Sequence, residues 1–181
     1  MKKEPLHANI PYDLVDRNDR FVRIGTKADA KRLGLWGRIV HIFVFNTKDE
    51  LLICKRPKTL RAYPGLWTSS VGGHVEHGEP YRKAAKRELQ EELGISLPLQ
   101  DKGAARVVST HHGKKHTRLF TAHLPRSSHI APDSKEVTAW KFISIKKLRK
   151  AIVRSPRRFV YPFRKAFMFF LKKKKFLAIP P

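Results

Sequence analysis

Cysteine, acidic residues and long apolar runs are what this 181-residue sequence has least of. Its one cysteine, Cys54, rules out an intrachain disulfide and fits a reducing, cytoplasmic setting. Because Cys54 ends the apolar run Leu51-Leu52-Ile53, its expected role is packing. No apolar run approaches the roughly 18 residues of a membrane span, and Met1-Lys2-Lys3-Glu4-Pro5 lacks the apolar segment of a secretion signal. A cytoplasmic chain with no membrane span is expected. Acids are few, 15 Asp/Glu against 39 Lys/Arg, for a formal charge of +24. The shortage is uneven, since only Asp101, Asp133 and Glu136 are acidic after residue 100. Such a field gathers polyanions, RNA or acidic surfaces around the C-terminal part without selecting among them. There is no internal repeat. What remains is 41% apolar and 10% aromatic, enough for one domain with a sizeable core but not for two.

Taken in order, residues 1–11 read as an arm broken by Pro5 and Pro11. Tyr12 to Asp16 and Phe21 to Gly25 read as a hairpin, and Thr26 as the cap of a helix over Lys27 to Leu33 that Gly34 stops. Arg38 to Asn46, RIVHIFVFN, has the β-branched and aromatic content of a central strand, paired with Glu50 to Lys55. A basic loop holding Lys58 and Arg61 leads through Pro64-Gly65-Leu66-Trp67 to a strand at Thr68 to Val71. Further on, Ala104 to Thr110 and Arg118 to Leu124 are expected as strands flanking a turn over His111 to His116. Glu136 to Ser144 reads as another strand and Ile145 to Val153 as a helix. The spacing of Phe163, Phe167, Phe170 and Leu171 predicts a terminal helix from Pro162 to Lys175.

The stretch around which these elements arrange themselves is GHVEHGEPYRKAAKRELQEELGI, from Gly73 to Ile95. Pro80 with Glu79 beside it is a helix start, and Gly94 a helix stop. At about 100° per residue, Glu88, Glu91 and Glu92 share one arc beside the apolar stripe of Tyr81, Ala85, Leu89 and Leu93, while Lys83, Lys86 and Gln90 take the far side. Three carboxylates bordering a buried stripe repel one another unless a cation joins them. Hard oxygen donors suit Mg2+ or Mn2+. Arg87 and Glu91 can also pair at i, i+4.

This stretch resembles the signature of the Nudix hydrolases. Gly73, Glu79, Arg87, Glu88, Leu89, Glu91, Glu92, Gly94 and Ile95 occupy the positions that family fixes. With RIVHIFVFN and PGLWTSSVGGHVEHGE, the resemblance extends over roughly residues 10–170 and looks like the branch of the isopentenyl diphosphate isomerases and their hydrolase relatives. It implies an α/β/α sandwich around a mixed sheet, and water attack on a diphosphate bridge of a nucleoside diphosphate linked to some moiety X. It implies Glu88, Glu91, Glu92 and the Gly73 carbonyl as metal ligands and Glu91 or Glu88 as base, with Arg87 among the catalytic groups. Glu79 and Arg87 would fix the loop on the helix, with Gly94 closing it. For substrate, Lys55, Arg56, Arg61, His74 and Glu136 are the candidates. His41 is more a core group, and Trp36, Tyr63 and Trp67 are packing or stacking surfaces. The division expected is an arm and hairpin at 1–36, the Nudix domain at 37–171 and a basic tail at 172–181. A homodimer is among the assemblies the resemblance implies.

The isomerases of that branch carry a catalytic Cys where this chain has Gly72. They hold a metal through a His that aligns with Gly37 and through acids near the strand where this chain has Gly113 and Lys115; of that set only His74 is retained. With the signature complete, the hydrolase reading leads, ahead of an isomerase and of a non-catalytic module binding RNA or another polyanion.

Overall fold

Strand β3, Trp36–Phe45, carries the alternation of the sequence into two cores. In the computed structural model, residues 11–109 and 113–177 are described. Positions 1–10 of the arm expected at 1–11, Thr110 of the strand expected from Ala104, His111 and His112 of the expected turn, and positions 178–181 of the tail lie outside the described residues.

The chain runs β1 (Tyr12–Val15), β2 (Phe21–Gly25), α1 (Lys27–Arg32), β3, β4 (Leu51–Lys55), β5 (Trp67–Thr68), β6 (Val71–His74), α2 (Tyr81–Leu93), β7 (Gln100–Ser109), β8 (Gly113–His123), β9 (Ala139–Ile143), α3 (Ile145–Arg154), a 3-10 turn at Pro156–Arg158 and α4 (Tyr161–Leu177). β3 lies antiparallel to β6 and parallel to β8 along its whole length, from Trp36 opposite Lys114 to Phe45 opposite His123. β1 and β4 join at its two ends, β7 pairs with β8, and β5 and β9 pair with β4.

Successive side chains of a strand point to opposite faces. Val40, Ile42 and Val44 therefore pack with Ala84, Ala85, Leu89 and Leu93 of α2. Phe43 and Phe45 go the other way, to Leu148, Ile152, Phe163, Phe167 and Phe170 of α3 and α4. Phe43 meets Phe163 edge-on, with ring centroids 5.8 Å apart. Each such fully buried side chain contributes about 1.5–3 kcal/mol. Helices on both faces of a mixed sheet make the expected α/β/α sandwich.

The N-terminal hairpin is tied to the sheet by charge. Arg38 of β3 bonds Asp13 at 3.0 Å and Asp19 at 2.6 Å, Tyr81 donates to Asp19 at 2.9 Å, and the His77 ring meets Asp13 at 2.7 Å. Thr26 and Asp29 form a reciprocal capping box at α1.

Several boundaries differ from expectation. Lys114, Lys115 and His116 belong to β8 rather than to a turn, because the parallel pairing with β3 outweighs their polarity; the His116 ring lies tilted against Trp36, with centroids 4.8 Å apart. The strand expected at Glu136 begins only at Ala139, since the amides of Glu136 and Val137 close a turn on the Asp133 carbonyl. Thr68 to Val71 is two short strands interrupted at Ser69 and Ser70, whose hydroxyls bond the carbonyls of Val71 and Leu52. Pro80 sits just before α2 in extended backbone, not inside its first turn. Gly94 ends the helix at φ 68°, as expected.

Candidate active site

β6 delivers Gly73 against the middle of α2. The place a Cβ on Gly73 would take coincides with the Glu88 carboxylate, so only glycine permits this approach. Arg87, one residue earlier on the helix, reaches Glu79 at 2.9 and 3.1 Å, Glu88 at 2.9 Å, Glu91 at 3.1 Å and the His74 carbonyl at 2.9 Å. Glu79 also accepts the Glu76 amide at 3.1 Å. Burial pushes the Glu79 carboxyl up, but the Arg87 hydrogen bonds outweigh it and hold the group below its ordinary range. Arg87 and Glu79 thus clamp the loop to the helix.

The remaining carboxylates are strained electrostatically. Burial, reinforced by the charges of Glu91 and Glu79 and opposed by Arg87, pushes Glu88 up to about 7. Glu92 is carried well above its ordinary value, by burial first and by Glu88 and Glu136 next, against one hydrogen bond from the Gly72 amide at 3.3 Å. Glu91 stands more open, its side chain 53% exposed. Among the described residues no three His, Cys, Asp or Glu side chains converge closely enough, as they stand, to enclose a metal ion; Glu88 and Glu91 are turned to Arg87. The donor set nonetheless fits a divalent cation, since desolvated carboxylates short of counter-charge are hard oxygen ligands.

The substrate candidates are only partly brought together. Glu136 and Arg56 both act electrostatically on Glu92, so they share its neighbourhood. Arg56 also donates to the Ala62 carbonyl at 3.1 Å. The His74 ring lies against Tyr12 at 5.7 Å. Arg61 is exposed. Lys55 turns elsewhere: its ammonium lies 6.0 Å over the Trp67 ring, with Lys141 4.7 Å from that ring. Trp67 and Lys141 line a groove of about 460 Å³ between β9 and α3, with Lys150, Arg154 and Arg158 in its wall and no acid among the described residues. His41 is buried, bonded through Nδ1 to Ser69 at 2.7 Å and held down to about 4 by burial. Trp36 is buried packing. Cys54 is buried, and burial pushes its thiol up.

Sequence reasoning did not single out Lys115, whose ammonium lies over Gly37 and 5.3 Å from the Tyr12 ring. The strand pairing that sets Lys115 beside Gly37 leaves no local mark in the sequence.

This architecture, with a carboxylate-bearing helix clamped by Arg87 beneath a glycine strand, is that of the Nudix hydrolase fold. The NUDIX domain family model matches residues 35–163. An isopentenyl-diphosphate Delta-isomerase 2 from Photorhabdus laumondii is 33% identical over 156 residues, covering 84% of this chain and 87% of that protein. An uncharacterized Nudix hydrolase from Pseudomonas aeruginosa is 43% identical over 81 residues, 45% of this chain and 48% of that protein. The crystal structure of the Deinococcus radiodurans protein DR0079 superposes with a TM-score of 0.67 at 22% identity, covering 80% of this chain and 89% of that one. The chain belongs to the Nudix family.

Proposed function

We propose that this protein is a divalent-metal-dependent diphosphohydrolase acting on a nucleoside diphosphate-X type substrate. The observation that carries the reading is the pair Glu88 and Glu92, desolvated and mutually repelling beside Gly72 and Gly73. Glu88, Glu91, Glu92 and the Gly73 carbonyl are the groups that would hold Mg2+ or Mn2+. A bound divalent cation supplies charge neutralisation for the phosphates and a more acidic water. The chain's own part is to take that water's proton, at Glu91 or Glu88, and to orient phosphate oxygens with Arg56 and His74.

Gly72 speaks against isomerase chemistry. A Cβ there would stand 3.0 Å from His41 Nδ1 and 3.3 Å from Ser69 Oγ, so the position of a thiol is already crowded by that pair. The chain's own thiol, Cys54, is buried in the α2 core. A second reading, RNA or polyanion binding without chemistry, is favoured by the basic groove at Lys141, Lys150, Arg154 and Arg158.

The test is product release from a panel of nucleotide sugars, dinucleoside polyphosphates, nucleoside triphosphates and capped RNA, with and without Mg2+ or Mn2+, beside Glu91→Gln. We expect metal-dependent release that falls at least about 100-fold in the variant. Unchanged turnover in Glu91→Gln refutes the assignment of that residue. Isomerisation of isopentenyl diphosphate by the pure protein refutes the hydrolase reading. Tight RNA binding with no hydrolysis, surviving loss of Glu88, Glu91 and Glu92 together, transfers the reading to the binding module.

A further inference from the structure

β3 pairs Gly37 with Lys115 and Ile39 with Thr117 on β8, and Ile39 with His74 on β6. By the two-residue period, Gly37, Lys115, Thr117 and His74 share one face of the sheet, the face turned away from Gly73 and Glu88. Glycine at 37 leaves a space on this face, and the Lys115 ammonium fills it: a Cβ on Gly37 would stand 2.6 Å from Lys115 Nζ and 3.2 Å from a Tyr12 ring carbon. The Tyr12 ring is 5.3 Å from that ammonium and 5.7 Å from the His74 ring.

Two hydroxyls and an ammonium of this face lack a partner among the described residues. The Tyr12 and Thr117 hydroxyls are buried and have no partner among the described residues, with 3% and 1% of their residues' surface exposed. Lys115 has no carboxylate within ion-pair distance among the described residues, and neither has Lys27, whose charge repels it. Asp29, the acid that acts on Tyr12 among the described residues, is committed to Thr26 and Arg32. Burial first and Lys27 second bring Lys115 down to about 8, the condition of an ammonium lacking its counter-ion. Arg56 acts on Lys27 and on Glu92, which links this cluster to the carboxylates on the helix side. Buried polar groups are nearly always satisfied, so two orphan hydroxyls on the face that carries an uncompensated ammonium mark a place that a ligand completes.

We propose that Lys115 and Lys27, with the hydroxyls of Tyr12 and Thr117, form an anion subsite for a terminal phosphate of the substrate. The inference deepens the hydrolase reading and rests on it for the identity of the substrate. A substrate with a free terminal phosphate satisfies both ammonium groups and both hydroxyls. One whose diphosphate is capped on each side by a neutral group leaves them unpaired, and is the poorer substrate.

The experiment has two arms. In the first, inorganic pyrophosphate is titrated by calorimetry in the presence of EDTA into the wild-type chain, Lys115→Met, Tyr12→Phe and Thr117→Val. We expect wild-type binding to weaken by about 10- to 100-fold in Lys115→Met, as loss of a charge-assisted bond requires, and by a smaller factor in each hydroxyl variant. Tyr12→Phe and Thr117→Val remove single hydroxyl groups, so the subsite is still tested if Lys115→Met does not fold. In the second, kcat/KM is compared for a nucleoside triphosphate and a nucleotide sugar; Lys115→Met is expected to lower the first selectively. Equal pyrophosphate binding by the wild-type chain and all folded variants overturns the subsite, whatever the chain hydrolyses. Binding that depends on Lys115 in a chain that hydrolyses nothing retains the subsite and rejects the hydrolase reading instead.

Discussion

The Glu88 carboxylate lies over the α-carbon of Gly73, in the volume that any side chain at 73 would need. Strand β6 and helix α2 approach this closely because one residue has no Cβ. Gly73→Ala must therefore push the helix or swing Glu88 away. Overpacking of this kind costs about 1–3 kcal/mol, and turnover should fall at least about 10-fold with it. Denaturant titration and kcat together check this; a variant as stable and active as wild type would show that the contact relaxes freely.

Glu88 also sets a pH dependence. Its carboxyl is raised from 4.5 to about 7, so the folded chain binds its proton more tightly than the unfolded chain does. The stabilisation this gives is fully present below about pH 4.5 and is lost as pH rises through 7. Over that window the change approaches about 3 kcal/mol, from 1.36 kcal/mol per unit. Without metal, Glu88→Gln should lose less stability between pH 5 and pH 8 than the wild-type chain. Denaturation at the two pH values in EDTA measures the difference, and equal losses would remove Glu88 as the cause.

Metal should act on the same groups with the opposite sense. At a free concentration 100 times its dissociation constant, a ligand bound only by the folded state stabilises it by about 2.7 kcal/mol. Mg2+ or Mn2+ should raise Tm at pH 8 and do so less at pH 5, where protons compete at Glu88 and Glu92. Glu88→Gln combined with Glu92→Gln should abolish the shift. A shift of full size in the double variant would place the cation elsewhere.

Asp13 holds two partners from different parts of the chain, Arg38 and His77, and is itself 7% exposed. In Asp13→Asn the hairpin loses a charged acceptor, and a loss of about 1.5–3 kcal/mol follows. Hydrogen exchange should show faster opening at Phe21, Val22 and Arg23 than in the sheet centre. Uniform acceleration would mean instead that the hairpin is part of the global folding unit.

The groove beside Trp67 gives the RNA reading its own test. Each phosphate contact on a single strand adds about 0.7 to the slope of log K against log salt. Lys150→Glu with Arg154→Glu should weaken binding of a short single-stranded RNA and flatten that slope by about 1.4. Filter binding across a salt series measures it, and an unchanged slope would show that the groove holds no phosphate.

The helix of the site was readable before any coordinates. Glu88, Glu91 and Glu92 lie within five positions of one another along the chain, and a helix of 3.6 residues per turn puts them on one side whatever surrounds it. The central strand was readable too, from the β-branched and aromatic run Arg38 to Asn46, whereas which core each of its side chains enters was not. Lys55 was not, because a strand's last side chain can face either way until its partner strand is known. Nor was the extent of β8, where Lys114, Lys115 and His116 carry no strand signal of their own.

The sequence by itself thus carried the family signature, whose resemblance implied the sandwich, and it determined the carboxylate helix through local period, Gly94 as a stop and residues close along the chain. Tertiary structure decided what lies across the sheet from that helix. Lys115 fills the space above Gly37 and His41 crowds Gly72, while on the helix itself Arg87 closes on Glu79 and the His74 carbonyl. Lys115 and Gly37 are 78 positions apart in the chain, and it is the parallel register of two strands that makes them neighbours.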